Sequence, residues 1–144
     1  MSDGVKAPVG IRNCNPGNLI FMKYRPYDGQ LPEPGEGGFG KYVTMIKGVR
    51  ASCKDLLAGF RQVTSSQGRD GEDTVEEIIH EWSTTDQEPY IDTVCKLTGF
   101  DRKQVLTPDP TTLFMLLRAI FRVENGGWFV SDDVVRQGVA EALT

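Results

Sequence analysis

The sequence predicts a mainly α fold (α-rich α+β) with a loop-rich N-terminal third and room there for a short β-hairpin at most. Three observations lead to that expectation. From residue 45 onward apolar residues recur at three- and four-residue steps, the spacing that turns one stripe of a helix toward a core. Helix start and stop residues punctuate the same stretch. Nine of the sixteen glycines and five of the eight prolines lie in residues 1–48, so the front of the chain is rich in turn formers. At 144 residues the chain is long enough to bury a core without metals or disulfides. Residues 1–9 are expected to form a flexible N-terminus and residues 10–144 a single domain.

The elements follow in order. Ile46, Val49, Cys53, Leu56, Leu57 and Phe60 form the stripe of a first helix, broken at Ser65-Ser66-Gln67-Gly68-Arg69-Asp70-Gly71. A second helix is predicted to start at Asp73, where Asp73 and Glu76 have the spacing of a capping box. Its stripe is Val75, Ile78, Ile79 and Trp82, with Glu76, Glu77, His80 and Glu81 outward or at the flank. A third helix carries Tyr90, Ile91, Val94, Cys95 and Leu97 and ends at Gly99. Asp101 is expected to cap a short helical turn through Leu106. Asp109 as cap and Pro110 at the first helical position then open the helix of Leu113, Leu116, Leu117, Ile120 and Phe121. A last helix follows Ser131, with Asp132 and Asp133 against its positive end.

Composition excludes several classes. Hydrophobic residues at 39% and charged residues at 25% describe a folded, water-compatible chain. Sixteen basic against twenty acidic side chains leave −4, a poor footprint for phosphate backbones, so nucleic acid is not an expected partner. No apolar stretch reaches the length of a membrane span. The opening Met1-Ser2-Asp3-Gly4-Val5-Lys6 lacks a charged-then-apolar leader, which predicts no signal peptide. Cys14, Cys53 and Cys95 are odd in number and far apart, and His80 is the only histidine. No metal site, no Cys–His pair and no cofactor are expected.

One residue departs from the helical pattern. Counting 3, 4, 7, 8 and 11 from Leu113 gives Leu116, Leu117, Ile120, Phe121 and Glu124. Eleven steps of about 100° return to within roughly 20° of Leu113, so Glu124 continues the core-facing line at the helix end. Partial desolvation and the negative helix end would both raise its pKa, as a general acid near neutral pH requires. The competing reading turns Glu124 out to water or pairs it with Arg118 or Arg122. In the front, Gly10-Ile11-Arg12-Asn13-Cys14-Asn15-Pro16-Gly17-Asn18-Leu19 sets three asparagines around an Asn-Pro-Gly turn. Such a loop either presents amides to a polyhydroxylated or amide-bearing ligand or is tied together by its own side-chain hydrogen bonds. Tyr90 reads as a core aromatic with its hydroxyl at the edge, or as a ligand-orienting group.

These residues carry a resemblance. The loop Gly10 to Leu19, read with Gly48-Val49-Arg50-Ala51, Leu56-Leu57, Gly38-Phe39, Thr74 to Trp82, Tyr90-Ile91 and Arg122-Val123-Glu124-Asn125-Gly126, resembles phage and prophage virion proteins with an Arg-Asn-x-Asn-Pro-Gly-Asn loop. It covers roughly residues 10–140. Cys14 stands where those proteins usually have asparagine, and Val123 where histidine is common. Members are commonly taken to be lysozyme-like peptidoglycan hydrolases carried in the virion, though many are known only as structural proteins. The run Ile120 to Trp128 is also similar to the glutamate-ended helix of lysozyme-like transglycosylases and glucosaminidases. Asn15 to Leu19 is similar to their Asn-rich loop, and Thr84 to Tyr90 to their tyrosine segment. The order differs, as a circular permutation of a lysozyme-like domain would make it.

The resemblance implies a single lysozyme-like helical domain that cleaves the β-1,4 bond of the peptidoglycan glycan strand, by hydrolysis or by the intramolecular transglycosylase route. Glu124 would be the general acid. Asn13, Asn15, Asn18, Asn125 and Tyr90 would hold the sugar. A hydrolase also needs a second carboxylate about 5–5.5 or 6.5–9.5 Å away, for which Asp86, Glu88, Glu33 and Glu36 are the candidates. The protein would be made in the bacterial cytoplasm and reach the wall through a virion, lysis or secretion, with other virion or secretion-machine proteins as further partners. The alternative is a non-catalytic virion or interaction protein with the same fold.

Overall fold

The structure, a computed structural model, describes residues 6–61 and 71–144. The expected break at 65–71 lies outside these residues except for Gly71, as does the start of the expected flexible terminus. Six α-helices occur among the described residues: α1 (Val9–Arg12), α2 (Met45–Phe60), α3 (Val75–Trp82), α4 (Gln87–Thr98), α5 (Pro110–Glu124) and α6 (Asp132–Ala142). The fold is mainly α. No described helix is long and apolar enough to cross a membrane.

Local chemistry accounts for most helix starts. Thr44 Oγ1 accepts from Lys47 N at 3.1 Å, Asp109 Oδ1 from Thr112 N at 2.9 Å, and Ser131 Oγ from Val134 N at 3.3 Å. Pro110 follows its cap at the first helical position, and Gly99, with φ 82°, closes α4. The predicted stripes are the buried ones: Val49, Cys53, Leu56 and Leu57 on α2; Leu113, Leu116, Leu117, Ile120 and Phe121 on α5. With Val75, Ile78 and Ile79 of α3, Ile91 and Val94 of α4, and Val135 and Val139 of α6, they form one continuous apolar cluster. Helices α2 and α6 pack with unusually close backbones, because Gly138 faces Val49. A Cβ at 138 would stand 2.4 Å from Val49 Cγ1.

Four expectations are corrected. The α3 capping box is Thr74–Glu77, one residue later than predicted. Thr74 Oγ1 accepts from Glu77 N, and Glu77 Oε1 accepts from Asp73 N and Thr74 Oγ1. Glu77 is therefore buried, not outward. The segment after Asp101 is a turn without helix, held extended where Leu106 N donates to Asp73 O at 2.8 Å. Among the described residues of the front third, two isolated antiparallel bridges, Ile20–Phe39 and Gln30–Tyr42, hold the loops, which stays within the short hairpin allowed there at most. The loop motif itself opens with α1 at Val9, inside the stretch expected to be flexible. The three cysteines are free thiols, Cys53 buried and the others half-buried.

Candidate active site

Helix α5 delivers Glu124 to the surface edge of the core, where two elements distant in sequence meet it. The loop after α1 arrives from one side. Asn18 adopts the left-handed conformation, φ 51°, which asparagine tolerates better than most residues. Its Nδ2 donates to Glu124 Oε1 at 3.0 Å and to the Glu124 carbonyl at 3.3 Å. From the other side, the Tyr90 hydroxyl on α4 donates to Glu124 Oε2 at 2.8 Å. Neither arginine of the competing reading takes the carboxylate. Arg118 pairs with Asp132 at 3.1 Å, and the Arg122 guanidinium stands 5.8 Å from the Phe129 ring centre.

Two further contacts, from Asn125 and Trp82, hold the loop to the helices, and Asn125 is itself fixed to α5. Asn125 Nδ2 donates to Pro16 O and to Phe121 O, both at 2.8 Å, and Trp82 Nε1 donates to Gly17 O at 3.1 Å. The front third is thus anchored to the end of α5 and to the end of α3. A cleft of about 320 Å³ opens at Glu124, bounded by Ser83, Asp86, Tyr90, Thr93 and Val123. Val123, where the resembling proteins commonly have histidine, makes the wall beside the carboxyl apolar.

Burial pushes the Glu124 carboxyl above the ordinary glutamate range, although its hydrogen bonds from Asn18 and Tyr90 oppose that shift. Burial, and then the neighbouring Glu124 charge, raises the Tyr90 hydroxyl as well, so it stays protonated and donates. The arrangement is a half-buried acid with a raised pKa, held by two neutral donors in an open cleft. It can deliver a proton, and both donors favour the carboxylate left behind.

The expected sugar-binding asparagines divide sharply. Asn18 reaches the carboxylate; Asn13, Asn15 and Asn125 are 2%, 0% and 1% exposed. Asn15 Nδ2 donates to Leu19 O and Gly40 O at 2.9 Å, and its Oδ1 accepts from Leu19 N at 3.0 Å. Asn13 pairs both ways with the Glu36 backbone. These three amides are braces of the loop, which corrects the expectation that they touch the ligand. Asn15→Ala should therefore destabilise the protein by about 3 kcal/mol, because it strips three buried hydrogen bonds. Chemical denaturation checks this, and a loss below about 1 kcal/mol would contradict the bracing role.

The second-carboxylate candidates divide as well. Asp86 lines the Glu124 cleft. Glu88 accepts both guanidinium nitrogens of Arg102 at 2.9 Å, and Glu36 pairs with Arg12; those hydrogen bonds hold both carboxyls below the usual range. Glu33 is exposed on the front loop and is not among the cleft residues. Glu33, Glu36 and Glu88 are thereby set aside. Asp55 escaped sequence reasoning. It sits beside the α2 stripe, receives the Tyr27 hydroxyl at 3.2 Å, and is raised by burial under the front loop. It lines a separate hollow of about 350 Å³ between the Gly17–Met22 segment, α2 and α3. No local pattern announces the path of the loop that brings Tyr27 to it.

Among the described residues no group of three or more His, Cys, Asp or Glu side chains is placed to hold a metal ion. No protein-family model matches the chain, and no curated protein matches it.

Proposed function

We propose that the protein is a phage- or prophage-type enzyme that cleaves the β-1,4 linkage of the peptidoglycan glycan strand. Glu124 is the general acid. The observation that carries this reading is the half-buried Glu124 carboxyl held between Asn18 and Tyr90 in an open cleft. The motif resemblance points to the same residues.

In this reading the glycosidic oxygen sits against the Glu124 carboxyl and takes its proton as the bond to the anomeric carbon breaks. The carboxylate that forms is met by the Asn18 amide and the Tyr90 hydroxyl, which are already in place and need no reorganisation. Positive charge develops on the sugar ring. It is quenched either by water, whose proton passes to the Asp86 carboxylate as its oxygen bonds the anomeric carbon, or by the sugar's own 6-hydroxyl, whose proton returns to the Glu124 carboxylate and which leaves an anhydro end. The enzyme would be made in the bacterial cytoplasm and delivered to the wall by a virion, lysis or secretion.

Digestion of purified peptidoglycan tests the proposal. Wild-type protein should release muropeptides, and mass spectra separate anhydro from reducing ends. No release from several wall types would leave a non-catalytic virion or interaction protein instead.

Tyr90→Phe tests the role of the hydroxyl. Its hydrogen bond favours the ionised form, so removing it raises the Glu124 pKa further. The basic limb of the pH–rate profile should move to higher pH. The maximal rate should fall about tenfold, because the developing carboxylate loses a donor. A basic limb that stays put or moves down would contradict the assignment.

A further inference from the structure

One short segment of the front loop has a chemistry unlike the rest of the chain. Between Ile20 and Pro32 the sequence carries two cations, Lys23 and Arg25, and three aromatics, Phe21, Tyr24 and Tyr27. It carries a single acid, Asp28, in a chain where acids outnumber bases twenty to sixteen. The segment folds as a finger with a fixed base. Gln30 clamps Met22 from across it: its Oε1 accepts from Met22 N at 2.9 Å, and its Nε2 donates to Met22 O at 2.8 Å. The Ile20–Phe39 bridge holds one leg, and the Tyr27 hydroxyl, donating to Asp55 of α2, holds the other. Lys23 to Arg25 form the bend at the tip, with Arg25 in the left-handed region at φ 56°.

The finger leaves apolar and cationic groups in water side by side. Tyr24 is 79% and Ile20 70% exposed, although hydrogen bonds hold the base. The Lys23 ammonium stands 5.7 Å from the centre of the Tyr24 ring. Neither Lys23 nor Arg25 has a carboxylate partner among the described residues, and Asp28 is taken by Lys47 at 2.8 Å. A single exposed apolar residue is ordinary. An aromatic and an aliphatic one beside two unpaired cations, on a rigid loop, fit a surface that is anionic outside and apolar just beneath. A phospholipid interface has that layering, since aromatic rings sit at headgroup level and long cationic side chains reach the phosphates. A phosphate polymer such as nucleic acid would match the cations and stack on Tyr24, but it offers nothing apolar to Ile20.

We propose that residues 20–25 dock the protein on an anionic phospholipid surface, lying on it without crossing it. Tyr24 and Ile20 enter the headgroup layer, and Lys23 and Arg25 take lipid phosphates. Six residues separate Tyr24 from Asn18, the residue that holds Glu124, so a docked protein keeps its cleft within roughly 20 Å of the lipid surface. The docking does not depend on the cleavage reading.

Flotation of the full chain with vesicles tests this. The probes are vesicles of phosphatidylcholine alone and of equal parts phosphatidylcholine and phosphatidylglycerol. The chain should bind the mixed vesicles about twenty-five-fold more tightly, about fivefold for each cation, with a margin that shrinks as salt is added. Lys23→Gln with Arg25→Gln should abolish the margin. Ile20→Ser with Tyr24→Ser should weaken binding to the mixed vesicles about tenfold, because the apolar contact is lost. All four positions are exposed, so both variants should melt like wild type. Equal binding to the two kinds of vesicle, or flotation with neither, overturns the docking. So does an Ile20→Ser, Tyr24→Ser protein that binds the mixed vesicles like wild type. Soluble polyphosphate or duplex DNA that then binds with the same salt dependence would make the finger a phosphate-polymer site instead.

Discussion

Glu124→Gln is expected to lower muropeptide release by a factor on the order of 10³, the size of effect a positioned general acid supplies, while the melting temperature at neutral pH stays the same or rises. The amide is isosteric. Its oxygen can still accept from Asn18 Nδ2, and its nitrogen can donate to the Tyr90 hydroxyl oxygen, so the local scaffold survives. What disappears is the transferable proton. The sign of the stability change follows from the direction of the pKa shift. Glu124 has a higher pKa folded than unfolded, so the folded state binds the proton more tightly. Stability is then lost as pH rises from the ordinary glutamate pKa through the raised folded value, and glutamine removes that loss. Activity assays on purified peptidoglycan and thermal melts across pH 4–8 check both halves. Retained activity would remove Glu124 as the acid. A large fall in melting temperature would mean that the carboxylate is chiefly structural.

Gly48→Ala should be the most damaging small substitution. Helix propensity alone favours alanine over glycine inside α2 by about 1 kcal/mol. Here, however, a Cβ would stand 1.7 Å from the Cys14 carbonyl oxygen and 3.1 Å from Pro16 Cδ. A backbone carbonyl cannot rotate away, least of all at Cys14, which already holds a left-handed φ of 52°. The loop must lift off α2, at a net cost of about 3 kcal/mol and roughly 10 °C in melting temperature for a chain of this size. Asn18 is on the same loop, so cleavage should fall together with stability. Calorimetry decides: a melting temperature at or above that of wild type would show that the loop does not rest on Gly48.

The helices were legible because their signals are local. Asp109-Pro110, Ser131 and Gly99 act through bonds within a few residues, and the stripes of α2 and α5 state which faces are buried. The misplaced α3 cap shows where that legibility ends. Asp73–Glu76 and Thr74–Glu77 both have usable spacing, and Thr74 prevails with Glu77 drawn into the buried box. Glu124 was legible for the same reason as the core, since it lies on the helix face that Leu113 and Ile120 define.

The role of each asparagine was not legible. Asn13, Asn15 and Asn18 sit in one short loop with the same side chain, yet two are turned inward as braces and one reaches a carboxylate. That difference comes from the path of residues 35–42. Its backbone supplies the carbonyls of Glu36 and Gly40, and nothing in the loop motif encodes that path. Asp86 and Glu88 are likewise two residues apart. Arg102, which lies after α4, claims Glu88 and leaves Asp86 in the cleft.

By itself the sequence determined the mainly α class, the helix faces and the presence of an acid on a core-facing line, since periodicity and capping are short-range effects carried by neighbouring residues. Only the tertiary structure decided that Asn18 and Tyr90 meet Glu124, because they come from segments 106 and 34 residues away. Such contacts depend on how helices and loops pack, and packing is a sum over many distant side chains that no local pattern contains.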